Sequence, residues 1–185
     1  MTSYVFRVWV LPNPPLEFTP DEEVWRDITI DESHTLAELH EAIFDAFERW
    51  DTHGYEFLTR DSEGIALRSY PHPQLYDGGP SWPPMDDEEL DRVIDQAVFD
   101  ELSEDAKQRF RELQSNPPTE GKVADTTIGD LDSDGVGVLS YTFDMGDSWE
   151  HYIELQETRE ESLDGEPTVV DEQGGAPPQY PEYDE

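Results

Sequence analysis

Apolar and polar residues alternate from Leu139 to Leu155, near the end of the chain. Successive side chains of a β-strand point to opposite sides of a sheet, so this alternation predicts two strands with one buried face. Met145-Gly146-Asp147 separates the two arms and predicts the turn of a β-hairpin. The predicted buried face carries residues from both arms: Leu139, Tyr141, Phe143, Met145, Trp149, His151, Ile153 and Leu155.

Two strands and a helix are predicted in the first part of the chain. Alternating strand-forming residues indicate strands at Tyr4–Leu11 and Val24–Ile30. Thr35 precedes Glu38 by three residues, which is the spacing of a capping box at the start of a helix. Apolar residues at helical spacing then extend the predicted helix to about Trp50.

The middle of the chain alternates weaker strand signals with a long insertion. A strand is predicted at Tyr55–Thr59, and a weaker one at Ile65–Tyr70. Residues 71–119 contain a Pro-rich loop and then a helical pattern, and they are predicted to be an insertion. Within and after it we expect helices near 86–97 and 103–113, and a short turn or strand at Thr127–Leu131.

The order of these elements predicts an α+β fold with a mixed β-sheet packed by one main helix. Two strands, a helix, a strand, the insertion and a final hairpin are similar in order to the β-grasp. The length predicts a single domain over residues 1–161. Residues 162–185 are rich in Glu, Gly and Pro and are predicted to form a mobile or draped acidic tail.

The charge balance is extreme, with 46 acidic residues against 11 basic ones and a net charge of -35. The acids are spread over predicted helices, strands and loops, which is typical of a protein adapted to a high-salt cytoplasm, where self-repulsion is screened. An acidic mimic or a cation-binding protein is the alternative. Direct nucleic-acid binding is disfavoured, because it depends on basic side chains that neutralise phosphates.

Several classes of protein are disfavoured by what the sequence lacks. The chain has no cysteine, which excludes disulfides and thiolate ligands. It has no apolar run of membrane-spanning length and no signal-peptide pattern, so we expect a cytoplasmic protein without membrane contact. No sequence motif for a cofactor or a metal is present, and we expect neither. The partner, a protein or a small ligand, and the oligomeric state are left open.

The hairpin resembles the signature of the Ri-plasmid ORF-three-like family, whose members are also described as transposon passenger proteins. Val24-Trp25-Arg26-Asp27-Ile28 and the helix that follows Thr35 are similar to two further family patterns, although Asp27 replaces a family arginine. The resemblance implies an α+β domain without an established activity. The hairpin residues that match are Tyr141, Asp144, Gly146, Asp147, Trp149, His151, Ile153 and Leu155, with Met145 where the family usually has Phe.

Asp144, Asp147 and His151 are the first candidates for chemistry. Two carboxylates and an imidazole could bind a divalent cation or transfer a proton. Alternatively, the aspartates cap the tight turn through backbone N–H groups, and His151 belongs to the apolar face of the hairpin. His40 and His53 could approach His151 if the helix packs against the hairpin, or they could be structural.

Arg26 and Trp149 are candidates for ligand binding. Arg26 could bind a carboxylate or phosphate with two hydrogen bonds, or it could pair with one of the many acids or stack on an aromatic ring. Trp149 could line a groove together with Trp25 and Trp50, although aromatic residues at the spacing of regular elements are more typical of a core.

The sequence thus favours a non-enzymatic binding or interaction module. A metal-dependent hydrolase or other enzyme that uses Asp144, Asp147 and His151 is the second hypothesis. A mobile-element accessory protein that acts near DNA is the third, and it rests on the family description alone.

The charge pattern generates a testable prediction about salt. If the acidity is an adaptation to high salt, unfolding by urea should require a higher midpoint in molar KCl than in dilute buffer, because screening removes self-repulsion of the folded state. Circular dichroism at both salt concentrations measures this difference. Equal stability in the two buffers would contradict the adaptation.

Overall fold

The computed structural model describes residues 1–60, 66–73, 121–133, 138–163 and 165–180, together with residues 104, 105, 107, 108 and 111. Within these ranges no helix has the length and apolar character that crossing a bilayer requires. The described elements, in chain order, are β1 Ser3–Val10, a 3-10 turn at Pro14–Leu16, β2 Val24–Asp31, α1 Leu36–Ala46, β3 Tyr55–Arg60, β4 Ala66–Pro71, α2 Ile128–Ser133, β5 Val138–Phe143, β6 Trp149–Arg159 and β7 Thr168–Gln173.

One seven-stranded sheet dominates this α+β fold, with the strand order β4-β3-β5-β6-β1-β2-β7. Every pairing between these strands is antiparallel. The prediction of a mixed sheet is therefore wrong for the described strands. The reason is that β6 leaves the hairpin turn beside β1 and runs in the opposite direction to it. The β-grasp comparison stays a prediction.

The predicted hairpin is confirmed as β5 and β6, and it lies at the centre of the sheet. Tyr141 pairs with His151, and the neighbouring pairs keep the same register. Two residues of the predicted buried face are exposed, Met145 at 42% and Leu155 at 46%. Met145 lies in the turn, and Leu155 lies beyond the last residue of β6 that pairs with β5.

Helix α1 covers one face of the sheet and closes the core. Its capping box is confirmed, because the Thr35 hydroxyl accepts from the Glu38 N–H while the Glu38 carboxylate accepts from the Thr35 N–H. The helix ends at Ala46 rather than near Trp50, and Glu48 adopts a left-handed φ of 53°. The fully buried core side chains include Val8, Ile28, Ile30, Leu36, Leu39, Phe57, Phe143 and Trp149.

Residues 127–131, predicted as a turn or strand, instead begin α2. Thr127 and Asp130 form a second capping box, with the Thr127 N–H donating to the Asp130 carboxylate at 2.8 Å. Thr35 and Thr127 also form a β-bridge, which places the two helix starts side by side. The predicted helix at 86–97 and most of that at 103–113 lie outside the described residues, apart from residues 104, 105, 107, 108 and 111, which are helical.

Part of the segment predicted as an acidic tail forms the last strand of the sheet. Strand β7 pairs with β2 and makes one edge of the sheet. The chain leaves β7 at Gly174, whose φ of +74° favours glycine. A Cβ at this position would lie 2.8 Å from the Cγ2 atom of Val24. A side chain at position 174 would therefore clash with Val24, which is a second reason for glycine here. We call residues 174–180, which then cross the end of the hairpin, the strap.

The capping box at α1 generates the second prediction. Thr35→Ala removes the hydroxyl that accepts from the Glu38 N–H, so the free energy of unfolding should fall by about 1 kcal/mol. Thr35→Ser keeps a hydroxyl and serves as the matched control, with a smaller loss. Chemical denaturation of the three proteins in the same salt checks the order, and an unchanged midpoint for Thr35→Ala would speak against the cap.

Candidate functional site

Asp144 and Asp147 belong to the hairpin turn. The Asp144 Oδ1 atom accepts from the N–H groups of Gly146 at 3.0 Å and Asp147 at 3.3 Å, and Asp144 itself has a φ of 57°. The Asp147 carbonyl accepts from the Asn13 side-chain amide at 2.8 Å. The Asp144 side chain therefore caps the turn, and the Asp147 backbone anchors the loop between β1 and β2.

His151 is buried in the core, with 1% of its surface exposed. Its Nδ1 atom lies 3.1 Å from the Trp149 carbonyl oxygen and 3.3 Å from that of Tyr141, so Nδ1 carries the proton of the neutral ring. Burial and the nearby Arg49 charge lower the pKa of His151 to about 3. Its Nε2 atom is buried and has no hydrogen-bond partner in the part of the chain that the structure describes.

His40 lies on the buried side of α1 and is held by two tyrosines. Its ring stacks on Tyr55 with centroids 3.6 Å apart, and its Nδ1 atom lies 2.7 Å from the Tyr141 hydroxyl. Burial and the His72 charge lower the pKa of His40 to about 3. His40 is thus a neutral residue of the core at neutral pH.

His53 lies at the surface, beside the hairpin turn. Its Nδ1 atom is 3.5 Å from the Asp144 carboxylate, and its Nε2 atom is 2.7 Å from the Tyr180 hydroxyl. The same hydroxyl donates to the Asp51 carboxylate at 2.7 Å. The structure therefore brings His53 to Asp144, but not to His40 or His151.

The five predicted histidines and aspartates do not form one site. Among the described residues, the group of three or more possible metal ligands is His34, Glu38 and Glu166, and it contains none of the five. No hydrogen bond or ion pair joins His151 to Asp144 or Asp147 in the described part of the chain. The geometry gives no support to a hydrolase built on Asp144, Asp147 and His151.

Arg26 is buried and joins three parts of the fold. Its Nε donates to the Ala46 carbonyl at the end of α1 at 3.0 Å, and its Nη1 donates to the Gln173 and Gly174 carbonyls at 3.0 and 3.1 Å. The Glu172 carboxylate lies 3.4 Å from Nε. With Nε and Nη1 engaged and 3% of its surface exposed, Arg26 is not open to a ligand.

Trp149 is also an interior residue. Its indole N–H donates to the Gln179 carbonyl at 3.3 Å, and the Arg49 guanidinium lies 4.4 Å above its ring. Phe18 packs edge-on at 5.6 Å. Trp149 thus supports the strap and is 1% exposed, so it does not line an open groove.

An aromatic row on the sheet face opposite α1 was missed by the sequence prediction. Tyr152, Trp9 and Trp25 lie opposite one another on β6, β1 and β2. The rings of Trp9 and Tyr152 are 5.6 Å apart. The Arg7 guanidinium lies 3.6 Å above Trp25 and forms two 2.7 Å hydrogen bonds to Asp27. The sequence feature that could have predicted this row is the presence of aromatic residues at the polar positions of three strands.

Two grooves meet at this row. The first has a volume of about 540 Å³ and is lined by Trp9, Tyr152 and three acids of the β1–β2 loop, Asp21, Glu22 and Glu23. The second, of about 370 Å³, crosses β6, β5 and β3 and shares Leu11 and Tyr152 with the first. Glu56, Leu58, Arg60, Ser140, Thr142 and Glu150 also line it.

The strap is the second feature that the sequence did not indicate. Gln179 is 3% exposed, and its side-chain oxygen accepts from the N–H groups of Trp50 and Asp51 at 3.0 and 3.1 Å. Its side-chain amide donates to the Asp51 carbonyl at 2.7 Å. A single glutamine in a Pro-rich segment belongs to no periodic pattern. Its contacts could therefore not be predicted from the sequence.

The fold and the hairpin together define the class: an α+β domain with a sheet centred on an Asp-Met-Gly-Asp-x-Trp-x-His hairpin. The family model for plasmid pRiA4b ORF-3-like proteins matches residues 16–180. The chain belongs to this family, as the hairpin resemblance implied.

A solved structure has a similar fold. The crystal structure of a protein of unknown function, MM3350, from Methanosarcina mazei Go1 matches with a TM-score of 0.59 and 16% sequence identity. The match covers 96% of this chain and 73% of the other one. At this identity the similarity concerns the fold alone. No curated protein sequence matches the chain.

The two buried histidines generate a prediction about pH. Their folded pKa values of about 3 lie below the ordinary 6.5, so between these values the unfolded chain binds one more proton per histidine than the folded protein. Stability should therefore fall as the pH decreases through this range, by about 1.4 kcal/mol per pH unit for each histidine.

His40→Gln removes one of these protons. Between pH 6 and pH 5, the unfolding free energy of this variant should change with pH by about 1.4 kcal/mol per pH unit less than that of the parent protein, which is the contribution of one proton. Above pH 8 the two proteins should have the same slope. Urea denaturation across pH measures both slopes. Identical slopes at pH 5 to 6 would show that His40 is not buried as a neutral ring.

Proposed function

We propose that this protein is a non-enzymatic binding module, and that the aromatic row with its two grooves binds a basic segment of a protein partner. The observation that carries the proposal is the stacking of the Arg7 guanidinium on Trp25, 3.6 Å from the ring centroid. The chain itself thus provides an example of the contact that an incoming arginine would make with Trp9 or Tyr152.

The chemistry of the row favours a cation. Trp and Tyr rings attract guanidinium and ammonium groups through their negative faces, and Trp is the strongest of the aromatic residues in this respect. Trp9 and Tyr152 are partly exposed, whereas Trp25 is 8% exposed and already bears Arg7. Trp9 and Tyr152 are therefore the part of the row that a partner can reach.

Charge complementarity favours the same ligand. Asp21, Glu22 and Glu23 line the first groove beside Trp9, and Glu150 lines the second. A basic segment would meet carboxylates on both sides of the aromatic row. A nucleic acid would instead meet like charge, which disfavours the hypothesis of a mobile-element protein that contacts DNA.

A high-salt cytoplasm is part of this proposal. Molar salt screens attraction between exposed charges beyond a few ångströms, so stacking and apolar contact must supply more of the affinity there. The groove has both kinds of group, with Val10, Leu11 and Pro12 beside the rings. We propose a module that keeps part of its affinity for a basic partner at high salt.

Trp9→Ala is the test of this surface. Titration calorimetry with an arginine-rich peptide should show an affinity about tenfold lower than that of the parent protein, because the main stacking ring is lost. Trp50→Ala is the matched control, since Trp50 is 71% exposed and packs beside Tyr180, away from the row. It should leave the affinity unchanged.

Two results would refute the proposal. One is an equal loss of affinity in Trp9→Ala and Trp50→Ala, which would mean that no particular ring is recognised. The other is complete loss of binding by the parent protein in molar KCl, which would reduce the interaction to attraction between exposed charges. Turnover of a substrate by the purified protein would favour the enzyme hypothesis instead.

A further inference from the structure

Arg49 is a buried cation whose hydrogen-bonding capacity is largely unused. It follows α1, is 6% exposed, and lies 4.4 Å above the Trp149 ring and 5.8 Å from the Phe143 ring. Its hydrogen bond is a long one, from Nη1 to the Pro177 carbonyl at 3.4 Å. Its Nε and Nη2 atoms are buried and have no hydrogen-bond partner among the residues that the structure describes.

The two unpaired atoms form the edge of the guanidinium that binds carboxylates. In Arg7 the same atoms, Nε and Nη2, donate to the two oxygens of Asp27, each at 2.7 Å. Two parallel N–H groups match the paired oxygens of a carboxylate or a phosphate. Arg49 therefore has a complete two-pronged binding edge to which no described residue supplies an acceptor.

The absence of a carboxylate partner is notable in so acidic a chain. The described residues place no Asp or Glu within ion-pair distance of Arg49, although the sequence has 46 of them. Burial lowers the pKa of Arg49 to about 10, so the group is still charged at neutral pH. The Asp144 charge acts on Arg49 through space but forms no ion pair with it among the described residues. A buried charge without an ion-pair partner is costly, and aromatic faces compensate for only part of that cost.

We propose that Arg49 binds a small oxyanion, a carboxylate or a phosphate group, in a site closed by the strap. The ligand would accept from Nε and Nη2 of Arg49. His151 is close enough to feel the Arg49 charge, and its buried Nε2 atom, which has no partner among the described residues, is a second polar group that can accept. A ligand with one protonated oxygen, such as hydrogen phosphate, could donate to it and is expected to bind more tightly than a simple carboxylate.

The strap controls access to this site. It contacts Arg49 through the Pro177 carbonyl and Trp149 through the Gln179 carbonyl. Gln179 fastens it to the loop after α1 by three hydrogen bonds, and Tyr180 adds contacts with Asp51 and His53. A ligand can reach Arg49 from this side only when these side-chain contacts open, so we expect slow binding.

The experiment uses the full chain and the side-chain Nε–H signals of its arginines in a ¹H–¹⁵N NMR spectrum. Sodium phosphate and sodium acetate are titrated separately at constant pH and ionic strength, and triple-resonance spectra of the parent protein assign the Arg49 signal. We expect the Arg49 signal alone to shift and saturate, with phosphate binding more tightly than acetate. Tighter binding of acetate would still support an anion site at Arg49, but it would contradict the role of His151 as a hydrogen-bond acceptor.

Two variants separate the site from a general salt effect. Arg49→Lys keeps the charge but loses the two-pronged edge, so we expect it to bind phosphate about tenfold more weakly than the parent protein. Phosphate should therefore raise the melting temperature of this variant by less than that of the parent protein. Arg159→Lys is the matched control, because Arg159 is a surface residue paired with Glu157. Gln179→Ala should increase the rate of phosphate exchange by loosening the strap.

The wild-type titration decides the question even if Arg49→Lys does not fold. An Arg49 signal that stays in place with both anions would overturn the proposal. So would a phosphate effect on melting temperature that is equal in Arg49→Lys and Arg159→Lys. An unchanged exchange rate in Gln179→Ala would overturn the role of the strap as the gate.

Discussion

The fold depends on how the buried Arg26 charge is satisfied. This side chain lies on the core face of β2 and is buried because carbonyls at the end of α1, at the end of β7 and at Trp25 accept its N–H groups. These bonds tie the end of α1 to the turn at Gly174. The loop that contains Arg49 and the strap that crosses it both start from these points.

The elements with a clear pattern could be predicted from the sequence. The hairpin faces follow from strict alternation, and the α1 start follows from Thr35 and Glu38. The end of α1 could not be predicted, because its apolar pattern continues beyond Ala46. The backbone instead becomes left-handed at Glu48, and Arg26, twenty residues away, binds the Ala46 carbonyl. Strand β7 is acidic and exposed, so it has no buried face to produce a pattern.

The predicted site residues are buried and the aromatic row was missed for the same physical reason. His151, Trp149 and His40 lie on apolar positions of regular elements, and such positions are buried in this fold. The aromatic row lies at positions that alternation assigns to the polar face. A search for the buried face of each strand therefore does not select these residues. The family hairpin residues hold the turn, the core and the strap together, and the proposed ligand surfaces lie beside them.

The connection between Arg26 and the strap has a consequence for the order of folding during synthesis. The Gln173 carbonyl that binds Arg26 lies 147 residues further along the chain. Until the ribosome has released that segment, β2 has no outer neighbour and its guanidinium lacks two of its acceptors. Because such a charge resists burial, the core around it cannot close early. Completion of the sheet around Arg26 is therefore expected to wait for this segment rather than to proceed steadily from the N-terminus onwards.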